Sequence, residues 1–191
     1  MLLKEMVERC RSYRRFDEKV SISKETLVDL VSLARLAASA GNLQPLKYFL
    51  SYQPETNQLI FPTLRWAAYL KDWPGPAEGE RPTAYIVVLG DRNIAQVFGV
   101  DAGIASQNIL LGAVERGLGG CIIGSVDRET LRENLKISEN LEILHVIALG
   151  KPVEKVVIED LPLGGDIRYW RDEDGVHHVP KRPLKELILN L

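Results

Sequence analysis

Apolar residues in this chain recur with two periods, and the places where the period changes mark the elements. Leu27, Leu30, Val31, Ala34 and Ala37 fall at helical spacing behind Ser23, a good N-cap, which predicts a helix with one core-facing stripe; Gly41 sits where such a helix would stop. Ala84 to Gly90 is almost continuously apolar, as expected of a strand covered on both faces. Asp101 to about Arg116 is the most buried-looking helix, and its Ala102, Ala105, Ser106, Gly112 and Ala113 would let another backbone come close. After Gly117-Leu118-Gly119-Gly120, a short strand is predicted at Cys121 to Gly124, a helix capped by Asp127 through about Leu135, and an apolar strand at Ile143 to Leu149.

Weaker patterns fill the rest. Residues 2–10 read as a short helix and Leu46 to Tyr52 as a strand. Pro54-Glu55-Thr56-Asn57 reads as a turn, with Gln58 to Phe61 as the returning strand, and residues 63–71 as a short helix. Residues 72–82 carry three prolines and two glycines and read as an exposed loop. Asp174-Gly175 predicts a hairpin between residues 168 and 179, and residues 184–189 a final short helix or strand. Helices and strands mix without strict alternation. This favours an α+β fold, a mixed and mainly antiparallel sheet with helices packed around it, over a doubly wound parallel sheet.

Composition narrows the function classes. The 191 residues suit one domain spanning 1–191, long enough to bury a core without a disulfide or metal staple. A formal net charge of −2 gives no general reason to expect nucleic acid as a partner. Cys10 and Cys121 are too few and too far apart for a disulfide framework or zinc site, which predicts a reducing, cytoplasmic setting. The N-terminus lacks the apolar stretch of a signal peptide, and no apolar run is long enough to predict a membrane span.

The chemistry-bearing motifs are first marked by absences. There is no phosphate-binding G-x-x-x-x-G-K-[ST] loop, no G-x-G-x-x-G fingerprint after a strand and no G-x-S-x-G elbow. His145 lies mid-strand, where a structural role is expected. His177 and His178 are adjacent on a predicted strand and so face opposite ways, which argues against a shared metal.

Arg9, Arg11, Ser12, Arg14 and Arg15 cluster where the first helix gives way to a loop, and Lys181 and Arg182 form a second basic group near the other terminus. The cluster reads either as a solvated helix end or as an anion site, in which guanidinium forks and a hydroxyl take up phosphate oxygens. If the termini meet, the two groups bracket one phosphate. The loop Ser39-Ala40-Gly41-Asn42-Leu43-Gln44-Pro45 is either a plain connection or, through the donors and acceptors of Asn42 and Gln44, a reader of a heterocycle edge. Gly119 to Gly124 reads as a tight turn into a strand, or as backbone open to a planar ligand. Cys121, beside Ile122 and Ile123, reads as a buried inert thiol.

Three segments together resemble the nitroreductase family of FMN enzymes. Arg11-Ser12-Tyr13-Arg14-Arg15-Phe16 is similar to its R-S-x-R-x-F signature, and Ser39 to Pro45 to its S-x-x-N-x-Q-P-W loop. Asp101 through Gly124 resembles its long central helix followed by a G-L-G-x-C-x-I-G strand, and residues 174–184 fit its C-terminal end. The resemblance implies an intertwined homodimer with non-covalent FMN at the interface. Arg11 and Ser12 would hold the phosphate, closed over by Lys181 or Arg182. Arg14 would approach the N1/O2 edge of the isoalloxazine, and Ser39, Asn42 and Gln44 would come from the second subunit. Ile122, Ile123 and Gly124 would line the ring, with the Ile123 N–H as candidate donor to N5. It further implies ping-pong transfer of electrons from NAD(P)H to a nitroaromatic, quinone or similar small acceptor, with chemistry at the flavin and no catalytic triad. The chain departs from the pattern in placing Cys10 before Arg11, and Leu46 and Ile122 where tryptophans are common. Other flavin chemistry on the same fold, or flavin binding without turnover, are the alternative readings.

Overall fold

The computed structural model describes residues 2–190. Its central sheet contains β1 (Leu46–Ser51), β2 (Ala84–Asp91), β3 (Gly119–Ile123) and β4 (Leu141–Gly150), in the order β1-β2-β4-β3 with every neighbour antiparallel. The expected α+β architecture, a mainly antiparallel sheet with helices around it, is therefore the one observed.

Burial on both faces explains the continuous apolar run of β2. Ala84, Ile86 and Val88 join a core formed with α2 (Lys24–Arg35) and α4 (Asp101–Glu115). Tyr85, Val87 and Leu89 point the other way, into a second core with Ile60 and Leu131 from α3 (Pro54–Ile60) and α5 (Arg128–Leu135). Leu27, Leu30, Ile86 and Ile109 are fully buried, and each such side chain contributes about 1.5–3 kcal/mol. The small residues of α4 act as expected, since Gly112 lies against Leu30 and Leu33 with no room for a Cβ. A register shift between Val88 and Leu89 puts Ile143 and Val146 of β4 in the same core despite their odd spacing.

The caps follow the sequence. The Ser23 side chain accepts the Thr26 N–H at the start of α2, and Asp127 accepts that of Thr130 at the start of α5. Helix α2 ends earlier than expected, at Arg35, and Gly41 instead lies in a 3₁₀ turn at 40–42.

Two expectations between β1 and β2 are corrected. Residues 54–60 form helix α3, with Pro54 at its start, so Gln58 to Phe61 is not a returning strand. Asn57 secures that helix, its side chain accepting from Ser51 Oγ at 2.7 Å and donating to Thr83 O at 2.8 Å. Residues 63–71 are not a helix either. Leu64 bridges Val126, and Arg65 N–H donates to Ser125 O at 3.0 Å, drawing the backbone out of helical geometry.

Helix α1 (Leu3–Arg9) precedes the basic segment. Beyond the central sheet lies a three-stranded sheet that the hydrophobic pattern only half announced. In it β5 (Val156–Asp160) pairs in parallel with β7 (His177–Lys181), and β6 (Trp170–Arg171) pairs antiparallel with β7. The hairpin at Asp174-Gly175 is as expected, β5 is the addition, and α6 (Leu184–Leu187) follows. Among the described residues no helix is long and apolar enough to cross a membrane.

Candidate functional site

The segment after α1 adds itself to the edge of the central sheet. Tyr13 N–H donates to Gly120 O at 3.0 Å, and Ser12 bridges Gly120 in parallel. Phe16, fully buried against Gly150, anchors the far end of the segment. Between these two fixings, Glu154 holds the backbone. Its Oε1 accepts the N–H groups of Arg14 and, at 3.1 Å, Arg15, and its Oε2 accepts Arg171 Nη2 at 3.1 Å. The Glu154 side chain is 1% exposed, so three donors consume a carboxylate that water cannot reach.

So held, the segment and β7 enclose a cavity of about 290 Å³ lined by Cys10, Arg11, Ser12, Arg14, Tyr169, His177, Val179 and Lys181. The two basic groups do meet. Of the C-terminal basic pair, Lys181 reaches the cavity, whereas Arg182 turns away to Glu186 at 3.0 Å. Among the described residues three cationic side chains line this space and no carboxylate does. Arg11 donates Nη2 to Val7 O at 2.6 Å, but its Nε is buried without a partner among the described residues, a donor left for a ligand. Arg14 lies 4.9 Å over the Tyr169 ring, with Nη1 3.3 Å from His177 Nε2. Arg15, by contrast, belongs to structure, forked onto Glu80 at 2.6 and 2.7 Å.

Burial, with Arg14 and Arg171 adding to it, pushes His177 down to about 4. Burial also takes His145 to about 4; it lies 2.7 Å from Ser106 Oγ and plays the structural part expected of it. His178 faces the other side of the sheet, as the alternation required. It is raised, chiefly by its hydrogen bond to Asp172 and also by Glu159. A pH dependence follows from these directions. The unfolded chain protonates His145 and His177 below about pH 6.5 while the folded chain does not, so their contribution is present above that pH and is lost on acidification. His178, being raised, keeps its full contribution across this range and loses it only at higher pH. Between pH 6.5 and 5 each buried histidine should therefore cost about 2 kcal/mol. Thermal melts should show a falling Tm over that interval, and a flat profile would contradict neutral burial.

Both cysteines are free, and burial raises both thiols, so Cys121 is the inert core residue expected.

The 39–45 loop is built around Asp101. This buried carboxylate accepts Ser39 Oγ at 2.5 Å and Ala40 N–H at 3.1 Å, and Ser39 Oγ in turn accepts Gln44 N–H at 2.9 Å. Gly41, Asn42 and Gln44 all have positive φ, at 57°, 56° and 51°. Left-handed backbone at a glutamine costs on the order of 1–3 kcal/mol and tends to persist at ligand sites. Ser39 and Gln44 line a different cavity of about 430 Å³, between α2, β1 and α4, which shares no residue with the basic one.

Strand β3 supplies the third set. Because Gly120 bonds outward to Tyr13, alternation sends the backbone groups of Ile122 and Gly124 outward too, and those of Cys121 and Ile123 toward β4. In this register the Ile123 amide faces β4, and the amide on the open edge is that of Ile122, whose side chain is also exposed.

The sequence pattern does not single out Glu154, Tyr169 or Asp101, and for His177 it speaks only against a shared metal. Glu154 sits in a Pro-Val-Glu-Lys stretch that looks like ordinary surface, and Asp101 reads as a helix-start acid. The strand alternation of His177 and His178 was the one signal available.

The chain matches the model of the nitroreductase family over residues 7–151. It is 29% identical over 158 residues, 78% of this chain and 85% of the relative, to an Archaeoglobus fulgidus protein named "Putative NADH dehydrogenase/NAD(P)H nitroreductase". Its fold is similar to an FMN-dependent nitroreductase from Clostridium difficile R20291, at 23% identity with a TM-score of 0.64, covering 80% of this chain and 89% of that one. It is also similar to a structure from Exiguobacterium sibiricum 255-15, described as a "putative nitroreductase in complex with FMN", at 22% identity with a TM-score of 0.66 over 80% of this chain and 89% of the other.

Proposed function

The chain belongs to the nitroreductase family, and on that premise we propose that it is a cytoplasmic FMN-dependent oxidoreductase, a single domain acting as a homodimer. The observation that carries this reading is the cavity in which Arg11, Ser12, Arg14 and Lys181 converge without a carboxylate, with Arg11 Nε buried and unpartnered among the described residues. Its size and charge fit a phosphate and the neighbouring end of a mononucleotide rather than the whole of one. When bound, FMN supplies two-electron chemistry, taking hydride from NAD(P)H and passing electrons to a small acceptor such as a nitroaromatic or quinone in ping-pong fashion.

The protein's part is binding, orientation and charge. Arg11, Ser12 and Lys181 hold the phosphate, and Arg14 offers positive charge to the ring edge, where it favours the reduced form. The open edge of β3 at Ile122 and Gly124 borders the ring. Ser39, Asn42 and Gln44 serve the site of a second copy, because none of them lines the basic cavity of their own chain, and Ser39 and Gln44 line a separate one. Exposed Leu43, Val97, Val100 and Ile104 give that second copy an apolar surface to cover.

The test is the visible spectrum of the purified protein, before and after anaerobic NADH or NADPH. Flavin bands that bleach on addition are expected. Bands that persist with both donors would reduce the reading to a flavin binder, and failure to take up added FMN would overturn it.

A further inference from the structure

His177 lies outside the stretch matched by the family model, on β7, yet it reaches back to the basic segment. Its neighbour on that side is Arg14, whose Nη1 lies 3.3 Å from His177 Nε2. A guanidinium only donates, so an imidazole nitrogen in this contact has to accept. That fixes the tautomer, with the proton on Nδ1, a nitrogen buried without a hydrogen-bond partner among the described residues. Tyr169 completes the clamp, its ring centroid 5.2 Å from that of His177 and 4.9 Å below the Arg14 guanidinium. Arg14 also donates from Nη1 to Ser12 O at 3.2 Å, and it forms no ion pair among the described residues. Its orientation thus rests on neutral partners.

We propose that His177 is a positioning residue for Arg14: a neutral imidazole that accepts from the guanidinium and aims its undiminished charge into the anion cavity. A carboxylate in that place would hold Arg14 as firmly but would cancel the charge it offers. A protonated imidazole would repel it. The groups acting on His177 agree with this role. Burial acts first, and Arg14 from the N-terminal segment, Arg171 on β6 and His178 beside it add to it, while Arg11 and Lys181, which line the same cavity, are cationic as well. The proposal rests on the flavin reading for what Arg14 serves, but not for the contact itself.

Two measurements test it. In ¹⁵N-labelled protein without FMN, NMR should show His177 neutral, protonated on Nδ1, and still neutral near pH 5. A proton on Nε2 at neutral pH would overturn the proposal whether or not flavin binds. FMN titration by fluorescence quenching, with the midpoint potential of the bound flavin, then compares H177Q, whose amide oxygen can take the place of Nε2, with H177L, which offers no acceptor. H177L should bind FMN about tenfold more weakly. If its preference for the reduced form also falls tenfold, the midpoint drops by about 30 mV. H177Q should stay within about threefold of the parent. H177Q as impaired as H177L would reduce His177 to packing, and unchanged H177L would leave Arg14 positioned without it. If H177L fails to fold, the tautomer and H177Q still decide. A parent protein that binds no FMN would sink the flavin reading and leave the NMR result to judge the contact.

Discussion

Replacing Glu154 by alanine is expected to cost about 3–5 kcal/mol of folding stability, because it strips a buried carboxylate from three donors at once. Arg171 would keep its charge in a buried place, and the amides of Arg14 and Arg15 would lose their acceptor. For a chain of this length the loss corresponds to a fall in Tm of roughly 6–20 °C. Glu154→Gln should fall between, since the amide oxygen still accepts but no longer balances Arg171. Calorimetry on the three proteins checks this, and a shift under 2 °C for the alanine variant would show that the clamp is dispensable. The consequence for the site is direct, because the backbone that presents Arg14 to the cavity is the backbone Glu154 holds.

The second large effect concerns the cavity cations. Each charge-assisted hydrogen bond is worth about 1.5–3 kcal/mol, so Arg11→Ala and Lys181→Ala should each weaken FMN binding by roughly 10–150-fold. Arg182→Ala should change little, since Arg182 is spent on Glu186 outside the cavity. Riboflavin, which lacks the phosphate, gives the internal control. Its affinity should be nearly the same for all four proteins, so that the discrimination between FMN and riboflavin collapses only in the Arg11 and Lys181 variants. Equal losses for the two ligands would mean that the cations act elsewhere.

The legible parts of this protein were those where one local cause decides. Ser23 and Asp127 announce helices because an N-cap acts within three residues, and the unbroken apolar run of β2 announces a doubly covered strand. The 54–61 stretch misled because Pro54 serves a turn and a helix start equally well. What decided was Asn57 reaching Ser51 and Thr83, a tertiary contact that no local pattern contains. Among site residues, Arg11, Arg14 and Lys181, with Ser12 between the arginines, stood out as two basic groups that needed only to meet, and they do. Choosing Lys181 over Arg182 took the register of β7. Glu154 could not be read at all, since its importance lies entirely in what arrives beside it from far along the chain.

That distance has a consequence for how the protein is made. Arg14 is separated from Glu154 by 140 positions and from His177 by 163. A ribosome adding about 5–20 residues per second therefore exposes the basic segment many seconds before its clamp exists. Until β7 has left the exit tunnel, the arginines are a loose cationic tether, open to any passing polyanion. On the proposed flavin reading, a nascent chain halted before Lys181 has emerged should therefore retain no flavin.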